Sequence, residues 1–326
     1  MLKSLTSFNE KLKDNLLEIH WRQWSSLGVT SQIPPEQYWI IDLEALTIST
    51  LTIGLADKRL MGACVEWFIQ NAEWLNTARF KRIAGIFTKP SPHKGIAVLP
   101  DRALTSLSET LKKHTHRLAI KTVRRNRVQD NTVATEYENF FKGFTSRDIA
   151  KQLDTVRAPA LLQLLLRGYC GMDARSDLFI YLLFNKQDNS LSIARNIYYN
   201  QKNVYNILEK WSKTGLVSKI HKNYVLRKST GWRDFWNYEK RSGYLNWPKV
   251  FYLFDRIFKA LSTLPWSNDA YLISSFLRDI YKDADEIGNQ LNVQIPNPNG
   301  YKGAMYFDVF APAMIEVLGK IIKTKS

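Results

Sequence analysis

Four side-chain amides and three lysines fall within NQKNVYNILEKWSK, residues 200–213. A side-chain amide offers a donor and an acceptor side by side, the complement of the adenine edge in the DNA major groove. A lysine ammonium neutralises a phosphate. This is recognition chemistry rather than bond-making, and it requires these groups to face water together. At 100° per residue, Val204, Ile207, Leu208 and Trp211 share one helical face. Lys202, Asn206 and Lys213 fall opposite, flanked by Glu209 and Lys210. Asn203 and Asn206 are placed to read a base edge, while Gln201 and Lys202 lie within reach of phosphates or bases.

Such a helix needs elements that hold it out. DARSDLFIYLLFNK predicts a preceding helix with Leu178, Tyr181, Leu182 and Phe184 inward. NS punctuates, and LSIARNIYY gives a helix of about two turns that buries Ile193, Ala194 and Ile197. Ala194 is small enough for the next helix to approach closely. Asn200 fits an N-cap and Gly215 a C-terminal stop. GLVSKIHKNYVLR then predicts two strands around a tight turn at His221, Lys222 and Asn223. Val217 and Ile220, with Tyr224 and Leu226, supply its apolar side chains, and Lys219, Lys222 and Arg227 its outward charge.

This stretch resembles the winged helix-turn-helix of bacterial and archaeal regulators of the MarR and ArsR kind. The matching elements are SIARNI, NQKNVYNILEKW, TGLV and the hairpin KIHKNYVLR. The resemblance implies an Ala-containing positioning helix, a recognition helix beginning near Asn200 or Gln201, and a wing along the phosphate backbone. The expected DNA-contacting set is Arg195, Asn200, Gln201, Lys202, Asn203, Tyr205, Asn206, Lys210, Lys213, Lys219, Lys222 and Arg227. Tyr198 departs from the pattern, since many members have a glycine at this turn. Residues 195–228 hold eight Lys or Arg against one acid, Glu209, a balance suited to DNA.

The expected fold is mainly α, with helical N-terminal and C-terminal regions around a central winged helix-turn-helix with a small β-hairpin wing. The expected domains are an N-terminal helical domain (1–100), a basic helical connecting region (101–171), the winged module (172–228) and a C-terminal helical domain (229–326). Leu5, Phe8, Leu12, Leu16 and Ile19 predict a first helix stopped at Gly28. Pro34 and Pro35 prepare the next, and residues 36–87 read as three helices with caps at Asp57 and Asn76. APALLQLLLRGYCG is a strongly apolar helix ending at Gly168 or Gly171. Residues 229–249 read as an aromatic-rich linker, followed by helices over roughly 247–263, 269–291 and 302–323. A second basic surface is expected at Lys112, Lys113, Arg117, Lys121, Arg124, Arg125 and Arg127, where no acid lies between Glu109 and Asp130.

Bulk composition narrows the class. Forty-six Lys and Arg against 30 Asp and Glu give a formal +16, with pI near 9.7, which favours a polyanion partner. With 45% hydrophobic and 13% aromatic residues the chain can bury a sizeable interior. No apolar run reaches the roughly 18 residues of a membrane span, and the N-terminus lacks a secretory h-region. Cys64 and Cys170 read as reduced, buried thiols of a cytoplasmic protein. His114 and His116 lack a third ligand, so no metal is expected, and DADE at 283–286 reads as a solvated helix face. Nucleotide-loop, nucleophile-elbow and zinc-protease motifs are all missing, so neither cofactor nor catalytic residue is assigned. The expected partner is double-stranded DNA, with a homodimer or protein contact through the flanking regions. The alternative is a protein-interaction scaffold, antitoxin or defence-system subunit whose winged helix docks a protein. An enzyme acting on bound nucleic acid has only scattered carboxylates in its favour.

Overall fold

A computed structural model describes residues 2–89, 99–114, 131–153, 158–227, 233–262 and 269–323. The apolar spacing of the N-terminus winds α1 (Leu2–Ser26), burying Leu5, Phe8, Leu12, Leu16 and Ile19. Gly28 turns the chain away at φ +90°, a conformation that favours glycine. The next helix starts later than the prolines suggest. Residues 34–42 are non-helical, and α2 (Leu43–Ile53) begins only where Asp42 accepts from Ala45 N at 3.1 Å. Asp57 and Asn76 cap α3 (Lys58–Asn71) and α4 (Thr77–Phe87). There follow α5 (Asp101–His114), α6 (Asn131–Lys142), and α7 (Leu162–Cys170), which ends at Gly171 with φ +83°.

Next come α8 (Ala174–Phe184), β1 (Asp188–Asn189), α9 (Ser190–Ile197), α10 (Gln201–Lys213), β2 (Val217–Ile220) and β3 (Asn223–Leu226). The strands form one antiparallel sheet in the order β1-β3-β2, with Val217 opposite Leu226 and Asp188 opposite Tyr224. The expected aromatic linker carries a helix of its own, α11 (Arg233–Arg241). After α12 (Trp247–Ser262), the single helix expected over 269–291 is two, α13 (Ala270–Asp279) and α14 (Tyr281–Gln290), broken at Ile280. The last helix is α15 (Met305–Lys323). The described residues are thus mostly helical, with fifteen helices and this one small sheet.

One hydrophobic core draws on both ends of the chain: α1 packs on α15 and α12 on α2, around Trp24, Trp67, Phe254 and Phe310. Residues from both 1–100 and 229–326 therefore share an interior. Within it, His20, Ser49 and Asp255 are 0% exposed, with Ser49 Oγ 2.9 Å from His20 Nε2 and 3.0 Å from Asp255 Oδ1. Burial lowers the His20 imidazole to about 4 and pushes the Asp255 carboxyl up, in each case favouring the uncharged form. A trio sealed in this way is a structural hydrogen-bond chain, closed to any substrate. No helix among the described residues is long and apolar enough to cross a membrane.

A second cluster, from Ala174, Leu178 and Tyr181 to Val217 and Tyr224, fills the interior of residues 174–224. A buried ion network joins α2, α4, α7 and α8. Arg79 bonds Asp42 at 2.5 Å and Glu44 at 2.7 Å, and Arg167 bonds Glu44 at 2.7 Å. Asp177 of α8 approaches both guanidiniums, at 3.9 and 3.7 Å, and accepts from Gln163 and Tyr199 at 2.7 and 2.8 Å. Burial alone would raise the Asp177 carboxyl, but Arg79, Arg167 and these two donors outweigh it and hold it below its ordinary range.

Removing one partner of a buried pair leaves an uncompensated charge, at a cost of about 3–5 kcal/mol. Asp177→Asn is therefore expected to lower the unfolding free energy by about that much, read from urea titration. Because the folded carboxyl is depressed, its contribution is complete above the ordinary aspartate range and fades as pH falls below it. The wild-type advantage over Asp177→Asn should shrink on acidification; an advantage independent of pH would contradict the network.

Candidate nucleic-acid interface

The corner between α9 and α10 is set by local chemistry. Asn189 caps α9, its side chain accepting from Leu191 N and Ser192 N at 3.1 and 3.0 Å. Ile193, Ala194 and Ile197 are buried as their spacing predicts. The chain then turns at Tyr198, whose φ of +64° is left-handed, a conformation that costs a non-glycine residue roughly 1–2 kcal/mol. Tertiary contacts hold it there. The Tyr198 hydroxyl donates to Asn246 Oδ1 at 3.2 Å, and the Arg79 guanidinium lies 6.0 Å from its ring centre. Arg79 Nε also donates to Ile197 O at 3.0 Å, satisfying a carbonyl at the end of α9.

Asn200 then caps α10, its side-chain oxygen accepting from Lys202 N at 2.9 Å. That oxygen is committed, so Asn200 builds the helix start rather than offering an open amide. Val204, Ile207 and Leu208 are buried, worth about 1.5–3 kcal/mol each. Trp211 is half-buried against Phe179. Gln201, Lys202, Asn203, Tyr205, Asn206, Lys210 and Lys213 are all exposed, as is Arg195 on α9. Gly215 takes φ +78° just past the helix and sends the chain into β2.

The hairpin turns on two residues, His221 (φ +57°) and Lys222, with Asn223 already paired to Ile220. Val217 and Tyr224 are buried, but Ile220 is 49% exposed. The apolar residues of the hairpin thus do not share one face: three positions from Val217, Ile220 lies on the side of the strand opposite Val217 and Tyr224. Lys222 and Arg227 are exposed; Arg227 donates to Ser218 Oγ.

Lys219 is the other departure. Instead of standing free, its ammonium donates to Glu209 Oε1 at 2.7 Å, and the Tyr224 hydroxyl donates to the same oxygen at 2.6 Å. The ammonium also lies 5.7 Å from the Tyr205 ring centre and 5.6 Å from that of Tyr224. The bonds from Lys219 and Tyr224 hold the Glu209 carboxyl below its usual range. Burial, then the Glu209 bond, pushes the Tyr224 phenol up to about 12. A clasp thus joins α10 to the hairpin and neutralises the acid of α10. Residues ten and fifteen apart leave no periodic trace, which is why sequence spacing misses it.

Elsewhere, Lys112 and Lys113 are exposed near the end of α5. Arg117, Lys121, Arg124, Arg125 and Arg127 lie outside the described residues. Among the described residues no group of three or more His, Cys, Asp or Glu is arranged to hold a metal ion. Asp283 and Glu286 are exposed on α14, with Glu286 paired to Lys249 at 2.6 Å. Cys64 is buried and Cys170 only partly so. Phe235, Tyr238 and Tyr244, from the segment after the hairpin, pack on Phe179 and Leu183.

Glu209→Gln weakens the clasp without touching the core. Hydrogen exchange should quicken at the amides of β2 and β3 and stay unchanged in α8, whereas uniform protection across both would mean the hairpin holds its place unaided. No protein-family model, curated protein or solved structure matches the chain, so the reading of this surface rests on its own geometry.

Proposed function

We propose that residues 172–227 form a winged helix-turn-helix that binds double-stranded DNA sequence-specifically, and that the protein regulates transcription. In this reading α10 enters the major groove and the hairpin rides on phosphates. The order helix, strand, helix, helix, hairpin supports it, as does the sharp corner at Tyr198. One observation carries it. Lys202, Asn206 and Lys213 are exposed together on α10, and no ion pair or hydrogen bond engages their side chains among the described residues.

Roles follow from position. Gln201, Asn203 and Asn206 face base edges, and Lys202, Lys210 and Lys213 serve phosphates or bases nearby. Lys222 and Arg227 place cations on the adjoining backbone. Lys219 contributes by fixing the wing through Glu209.

The double change Lys202→Ala with Asn206→Ala is expected to weaken duplex binding by about tenfold or more at fixed salt while leaving the fold intact. Gel-shift titration beside circular dichroism reads both. Lys222→Ala should weaken all sequences alike and flatten the salt dependence of log K by about 0.9. Equal affinity of the double variant and the parent would remove α10 from the interface.

A further inference from the structure

The side chains that α10 leaves open belong to a narrow chemical class. Gln201, Asn203 and Asn206 are exposed, and their amides have no partner among the described residues. A free amide pairs with adenine, donating to N7 and accepting from the N6 amino group. Helix α10 contains no arginine, the fork that pairs with guanine O6 and N7. Its one carboxylate, the group that would accept from cytosine N4, is turned to Lys219 and Tyr224 in the clasp. Tyr205 keeps 42% of its surface exposed beside these amides, an apolar edge of the kind that meets the thymine methyl. The arginine and free-carboxylate readers of G·C pairs are therefore missing or withheld, and the amide readers of A·T pairs are displayed. Lys202, Lys210 and Lys213 are the competitors, since an ammonium can serve guanine as well as phosphate; Lys202, in the first turn, is the foremost of them.

We propose that α10 selects A·T base pairs through the major groove, with the amides of Asn203, Asn206 and Gln201 on adenine and Tyr205 against the thymine methyl. This rests on the DNA-binding reading. Glu209 is a positioning residue in it: held by the hairpin, it leaves the groove-facing side free of an acceptor for cytosine.

The test is selection of bound duplexes from a random pool with the full chain at fixed salt. The selected site is then remade with 7-deazaadenine for adenine, deoxyuridine for thymine, or inosine·cytosine for A·T. The first two remove only major-groove groups. The third keeps the minor groove like A·T while the major groove becomes like G·C. An A·T-rich half-site is expected, weakened about tenfold by 7-deazaadenine and by inosine·cytosine, and less by deoxyuridine. Asn206→Ala should relax the preference at one base position, and Lys202→Ala should lower affinity without changing the preferred sequence. A G·C-rich site would overturn the proposal, as would an A·T site indifferent to these replacements, and DNA binding would then stand without it. A pool from which no duplex is retained overturns DNA binding itself and this selectivity with it.

Discussion

The arrangement of this protein turns on two guanidiniums, Arg79 and Arg167, buried against Asp42, Glu44 and Asp177. Withdrawing such charges from water is costly, and an apolar cluster of the same shape would hold the elements together as well or better. What the network adds is orientation. Each carboxylate has further donors: Ala45 N to Asp42, Asn76 N to Glu44, Gln163 and Tyr199 to Asp177. Hydrogen bonds with fixed directions tie α2, α4, α7 and α8 into one relative placement that greasy contact alone would not specify.

From that network the geometry passes directly to the corner. Arg79 reaches the last carbonyl of α9, and its guanidinium stands near the ring of Tyr198, which holds the left-handed turn. Asn246 adds a second hold, accepting from Tyr198 and donating to Asn196 O at 3.1 Å. The segment before α12 closes on the body as well. Gly243 pairs with Trp39, and a Cβ there would stand 2.5 Å from the Tyr38 ring and 2.6 Å from that of Trp39. The module of residues 172–227 is thus braced on its inner side, while α10 and the hairpin face outward.

That division explains where charge is free and where it is spent. In the buried network Asp42, Glu44 and Asp177 each face a guanidinium. On α10 the lysines have no acid but Glu209, and the hairpin occupies Glu209 with Lys219 and Tyr224. The proposed interface is therefore cationic because its single negative charge is compensated within the fold, and its amides are open because the cap at Asn200 already satisfies the helix start.

Much of this was legible in the chain. Periodicity gave α1, α9 and α10 with their buried faces, Asn200 and Gly215 marked the ends of α10, and the outward residues of α10 were assigned from 100° geometry alone. These are local effects, fixed by residues within a turn or two of one another. Tertiary structure decided the rest: the late start of α2, the break at Ile280 and the capture of Lys219. It also placed Arg79 and Arg167 in the interior, although isolated arginines in a basic chain read as surface. The physical reason is common to all of these. A side chain's partner across space depends on how helices pack, and the packing is set by a summed core that no short window of sequence contains.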